Sequence, residues 1–214
     1  MVRAAYSRRV EWGEIVERQF GRFQQADTAV LRGNAAYGAG LALLMSGRAD
    51  EAREWFLHAA SAWRESWADA TPTSWGRPIG VIKSLLLAGD DQAAAEAAEW
   101  ALTLGCEGAE SPVGRYAAAL ALLTLDRFAD ARHSAASIRD RDDFPRDVAD
   151  ALALIAAHDP IGYTDAVESV LESFEARDGY LEDVAVADTV LVLQRLAARR
   201  GIAAELPASR VLPA

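Results

Sequence analysis

Cysteine, lysine and histidine are nearly missing from this chain. Cys106 is the single cysteine, which excludes an intramolecular disulfide and any multi-cysteine metal site. It reads as a small buried hydrophobe and not as a nucleophile. Lys83 is the only lysine among 22 basic residues, so the chain relies on arginine. The arginine bias describes the host and not the function. Bases are outnumbered by 32 acids, giving a formal charge of −10. A general nucleic-acid binder needs a basic face to neutralise phosphates, so the charge argues against that class. Long apolar runs are missing too; "IKSLLLAG" and "VGRYAAALALLTL" are too short and interrupted to span a bilayer. Residues 1–10, "MVRAAYSRRV", carry no apolar stretch resembling a signal peptide, and the expectation is a cytoplasmic protein.

Strand signals are almost absent, because nowhere do β-branched and polar residues alternate for more than a few positions. What is present is helix punctuation. Ser111-Pro112 and Asp159-Pro160 each offer an N-cap followed by proline at the first helical position. Asp90 precedes the alanine-rich "DQAAAEAAEWALTLG", and Asp27 stands ready to cap "TAVLRGNAAYGAGLALLMSG". The pattern predicts about ten helices, near 9–25, 28–46, 49–67, 76–88, 91–104, 112–125, 128–140, 146–157, 161–177 and 186–200. The longest joints are expected around Pro72 and before Pro112. The acidic run "RDRDD" at 139–143 reads as a helix terminator and cap. Half the residues are apolar, enough for a core in one domain, 1–214.

Some of these helices repeat a pattern. In "GRADEAREWFLHA", Gly47, Ala52, Phe56 and Ala59 follow Gly40 at intervals of 7, 5, 4 and 3. This resembles the tetratricopeptide-repeat (TPR) family, whose hairpins carry W-x2-L-G-x2-Y and then A-x3-F. Ala36, Ala39, Gly40 and Leu43 fill the first four places, of which only the glycine matches outright. Weaker copies align through Ala94, Ala131 and Ala166, so the aligned alanines lie 42, 37 and 35 residues apart, against an ideal of about 34. The resemblance covers about residues 33–177. It implies an all-α, right-handed solenoid of antiparallel helical hairpins at 28–67, 76–104, 112–140 and 146–177. An N-terminal helix at 9–25 precedes them, and a capping helix at 186–200 with an extended tail at 201–214 follows. Small residues let each hairpin close tightly, and the larger residue of A-x3-F is expected on the next hairpin. Trp12, Ile15, Val16, Phe20 and Phe23 share one face of the first helix. Trp55, Trp63, Trp67 and Trp75 are expected to pack between neighbouring hairpins.

Chemistry-bearing motifs are few. There is no phosphate-binding G-x4-G-K-[ST], no H-E-x-x-H and no G-x-S-x-G. Glu51, Glu54 and His58 share a helix face, but a solvated face with an incidental histidine accounts for them; no metal or cofactor is expected. Arg53 to His58 and Arg127 to His133 fit the R-x4–6-H motif of HEPN-type ribonucleases, an all-helical family. Both matches fall on helices of the repeat pattern, so this is the remote alternative.

A groove is the better candidate. In TPR arrays the first helix of each hairpin lines a concave face that holds peptides. The resemblance implies Tyr37, Ile79, Tyr116 and Ala151 facing inward, then Leu41, Lys83, Leu120 and Ile155, then Leu44, Leu86, Leu123 and His158. The partner-binding set is therefore Tyr37, Leu41, Leu44, Lys83, Leu86, Tyr116, Leu120 and His158. Such an apolar groove suits an amphipathic helix or extended peptide of a partner protein, with Lys83 fixing an acidic or carbonyl group. The reading is a non-enzymatic protein–protein interaction module, binding neither nucleic acid nor membrane. A second alternative rests on residues 186–214, which resemble the end of some all-helical immunity proteins that neutralise toxins; acidity suits a basic toxin. The tail, with Leu206, Val211 and Leu212, is expected to dock on the last hairpin or to enter the groove.

Overall fold

The computed structural model describes residues 11–214; the segment 1–10, read above as lacking a leader, and the start of the first predicted helix lie outside them. Among the described residues the chain is all-α, with ten helices and no strand. They are α1 (Trp12–Gln25), α2 (Ala29–Met45), α3 (Ala49–Glu65), α4 (Gly76–Leu87) and α5 (Asp91–Thr103), followed by α6 (Pro112–Thr124), α7 (Phe128–Arg139), α8 (Arg146–Ala157), α9 (Pro160–Glu175) and α10 (Asp188–Arg199). None of these is long and apolar enough to cross a membrane.

Local chemistry explains several boundaries. Ser111 Oγ accepts from Gly114 N at 3.2 Å, Asp159 Oδ1 from Gly162 N at 3.0 Å, and Asp90 Oδ1 from Ala93 N at 3.0 Å, each satisfying an orphan donor of a first turn. The expected cap Asp27 is displaced by its neighbour: Thr28 Oγ1 accepts from Leu31 N at 3.3 Å. "RDRDD" ends α7 as expected, with Asp140 as its C-cap.

Helices pack in chain order from α1 to α9, and α4 also meets α6, as α6 meets α8. Five helix ends share one geometry: Gly201 after α10 (φ 70°, Ile202 N to Ala197 O at 3.0 Å) and four turns that join successive helices. Gly47, Gly89, Asp126 and His158 take φ of 74, 71, 58 and 58°. The next N–H of each turn then reaches back to the preceding helix: Arg48 to Leu43, Asp90 to Leu85, Arg127 to Leu122 and Asp159 to Leu154, at 2.9–3.1 Å. This left-handed closure satisfies carbonyls at a helix end. It also corrects the register of the fourth copy. Four residues beyond each of these turn N–H groups stand Ala52, Ala94, Ala131 and Tyr163, all essentially buried. Tyr163, not Ala166, is therefore the equivalent position, and the size difference hid it from an alignment built on alanine. His158 consequently occupies the turn and does not face inward.

Small residues set the closest approaches. A Cβ on Gly40 would lie 2.7 Å from the Phe56 ring, so Phe56 packs within its own hairpin, beside Tyr37, rather than only on the next. Trp63 reaches the next hairpin. Its indole lies between Gly33 of α2 and Gly80 of α4, where an added Cβ would come within 2.4 and 2.3 Å of ring carbons. Trp55 instead stacks on Phe20 of α1 at 4.3 Å, fixing the first helix by the face predicted for it. Cys106 is fully buried, and burial pushes its thiol up to about 11, which suits an inert hydrophobe.

Candidate functional site

The first helices of the first two hairpins, α2 and α4, border a cavity of about 420 Å³. Val30, Trp63, Ile79 and Leu181 give it apolar walls, while Asn34, Tyr37, Ser74, Arg77, Lys83 and Asp188 bring polar atoms to it. That combination of apolar walls and a few convergent polar groups is typical of a binding cavity. Trp63 Nε1 donates to Asn34 Oδ1 at 3.0 Å, leaving the Asn34 amide N–H groups without a partner among the described residues. Arg77 donates to the Ser66 carbonyl.

Lys83 and Tyr37 meet on a residue the sequence reading did not single out. Asp188 begins α10, where a helix N-terminus favours negative charge. Its Oδ2 accepts from Tyr37 Oη at 2.9 Å and from Lys83 Nζ; Nζ also lies 3.3 Å from Thr189 Oγ1. The two charged side chains are 11% and 16% exposed, so the pair is largely desolvated and its worth depends on both members being present. Burial works against the Lys83 charge, yet Asp188 holds its pKa above the ordinary value. For Asp188, burial favours the neutral acid, but the ammonium and the bonds from Lys83 and Tyr37 prevail and hold it lowered. Burial, then the neighbouring carboxylate, pushes Tyr37 well up. Tyr116 faces the same pair and is raised, chiefly by burial.

The other expected groove residues fall in three places. Leu41 borders a second cavity, of about 290 Å³, together with Val184, Val186 and Asp188. Leu86 and Leu120 are fully buried in the core, and Leu44 is half-buried against it. His158 stands at the α8–α9 turn, its Nδ1 3.3 Å from Arg200 Nη2.

What covers this face is the connection between α9 and α10, residues 176–187, and not the tail. It is the longest link among the described residues, exceeding the joints at Pro72 and Pro112. Its single turn, Leu181–Asp183, rests on α1 and α2. Arg22 pairs with Glu182 at 2.9 Å and with Asp183 at 3.3 Å. Arg18 and Gln19 donate to the carbonyls of Asp183 and Glu182 at 3.3 and 2.9 Å. Gly38 makes room, since a Cβ there would come within 3.3 Å of the Glu182 side chain. Glu182 and Asp183 both take left-handed backbone, φ 56 and 58°, at a cost of about 1–2 kcal/mol each for residues with a Cβ. Gln19 is fully buried, and its Oε1 has no hydrogen-bond partner among the described residues, a penalty of about 1–3 kcal/mol. Beyond the turn, Val184 and Val186 are buried.

The tail docks elsewhere. Val211 O accepts from Ala187 N at 2.8 Å, Gln194 bonds both the N–H and the carbonyl of Ala204, and Ile202 and Val211 are buried. None of the three histidines borders the 420 Å³ cavity. Arg53 donates to the Ala88 carbonyl, and Arg127 pairs with Asp130 and Glu107. Among the described residues no cluster of three histidine, cysteine, aspartate or glutamate side chains is placed to hold a metal ion.

Asp188, Arg22 and Gln19 were missed because their partners are remote in sequence, and Asn34 and Arg77 because no local pattern marked them. One signal was available: an inward lysine needs a counter-ion, and the start of the last helix supplies one. No family model, no curated protein and no solved structure matches this chain.

Proposed function

We propose that this chain is a non-enzymatic, cytoplasmic protein-interaction module: a TPR-like, right-handed solenoid of hairpins that holds a segment of a partner protein on its concave face. The observation that carries this reading is the 420 Å³ cavity, where Tyr37, Ile79 and Lys83, expected inward on two successive hairpins, meet at one place. Its opposite border is a peptide, the chain's own Leu181 turn. A surface that already accepts a folded-back stretch of backbone, through apolar walls and a few polar anchors, has the features of peptide recognition. The recurrence of one turn geometry at Gly47, Gly89, Asp126 and His158 supports the repeat. So does the seating of Trp63 between two hairpins.

The test uses Gly76, at the cavity's border, where an added Cβ meets nothing within 4 Å. Gly76→Trp places a large side chain at that border, and unfolding in urea checks that the variant keeps its fold. Peptides selected from a displayed random library on the intact chain are expected to lose binding to Gly76→Trp. A selection that yields no peptide, or peptides indifferent to that substitution, removes the reading.

A further inference from the structure

The Leu181–Asp183 turn divides space that would otherwise be continuous. Leu181 borders both the 420 Å³ cavity and the 290 Å³ cavity beside Leu41. Glu182 borders a third, also about 290 Å³, beside Arg22, Leu31 and Ala35. Moving this one turn outward joins the three into a trough along α2. The trough then carries Arg22, Arg77, Lys83 and Arg177 against Asp188 alone, a local excess of positive charge on a chain of net charge −10.

The turn itself has the opposite chemistry. It presents an apolar side chain, Leu181, 53% exposed, followed by two carboxylates that pair with Arg22. It also fits imperfectly. Both acidic residues are left-handed, and Gln19, which donates to the Glu182 carbonyl, finds no donor for its own Oε1 among the described residues. A side-chain amide matches a peptide bond when it both donates to a carbonyl and accepts an N–H. The left-handed turn supplies only the carbonyl.

Resting on the interaction-module reading, we infer that Leu181–Asp183 is a displaceable stand-in, and that the true occupant is an extended acidic segment in which an apolar residue precedes carboxylates. An extended strand offers Gln19 both a carbonyl and an N–H, its carboxylates meet Arg22 and Arg77, and its apolar side chain enters beside Trp63 and Ile79. Charge complementarity selects this partner over a basic or neutral one.

The experiment measures fluorescence anisotropy of a labelled peptide, DGYLEDVAV, with the full chain and with Glu182→Ala/Asp183→Ala, which releases the turn. The released chain is expected to bind about tenfold or more tightly, because a binding-competent state no longer competes with a closed one. Arg22→Glu in the released chain removes that gain, and a peptide with lysine in place of its glutamate restores it. A chain with Gly-Ser-Gly inserted after Gly179, which keeps every side chain, gives the same gain should the double variant fail to fold. Equal binding by the intact and released chains overturns the stand-in. If DGYLQNVAV binds the released chain as tightly, acidic recognition falls while the groove stands. If no peptide binds either released form at about 1 mM, with both cooperatively folded, the groove reading falls as well.

Discussion

Two segments of this molecule fold back on the helices, and they differ in what they bury. The tail, residues 201–214, buries Ile202 and Val211 and is tied by hydrogen bonds through Gln194 and Ala187, with Ser209 and Arg210 adding bonds to Glu175. The Leu181–Asp183 turn leaves its leucine half in solvent and is held by arginines that are themselves partly exposed. Burial of an aliphatic side chain is worth about 1.5–3 kcal/mol, whereas an exposed ion pair gives about 0–1 kcal/mol, here set against left-handed strain. The tail is therefore permanent structure, and the turn is a closure close to balance. Between them stands the Lys83–Asp188 pair, which anchors the start of α10 beside the 420 Å³ cavity.

That contrast has measurable consequences. Deleting residues 202–214 is expected to cost about 3–6 kcal/mol in urea unfolding, from the lost burial of Ile202 and Val211, while leaving the turn in place. Retained stability would mean the tail is no better anchored than the turn. Next in size is Lys83→Met, expected to cost about 3 kcal/mol because Asp188 is left charged and largely buried. Adding Asp188→Asn, which keeps an acceptor for Tyr37, is expected to recover most of that loss; no recovery would show that the lysine stem, not the pair, matters.

At the turn the effects are small. Asp183→Gly exchanges an exposed ion pair of about 0.5 kcal/mol for relief of about 1 kcal/mol of left-handed strain. Thermal unfolding should show a change within about 0.5 kcal/mol, on the side of stabilisation. A larger loss would mean the turn is held more firmly than the comparison allows.

The smallest effect is expected from pH. Asp188 is held below the ordinary carboxylate value, so its contribution is full above about pH 3.9 and is lost only as pH falls through its lowered folded value. Lys83 is held above its ordinary value, so its contribution is full below about pH 10.4 and is lost as pH rises through its raised one. The anchor of α10 should therefore be constant between about pH 5 and 9, as hydrogen exchange at the Asp188–Val190 amides would report.

Much of this was legible in the sequence where the signal is local. Ser111, Asp159 and Asp90 cap the helices they precede, and the helix limits follow within a few residues. Asp27 failed because two capping residues stood side by side and the backbone chose Thr28. The fourth repeat failed because a tyrosine fills a place where the other copies hold alanine. For the site, the resemblance to the repeat family placed Tyr37 and Lys83 inward, and both border the 420 Å³ cavity, whereas His158 stands at a turn.

By itself, then, the sequence determined the helices and their order, because capping, turn closure and helical period depend on neighbours a few positions apart. Only the tertiary structure decided what meets them. Arg22 and Glu182 are 160 residues apart, and Lys83 and Asp188 are 105 apart. No local pattern selects one acid among 32 for such a pairing; the packing of α10 across α4 and α8 does.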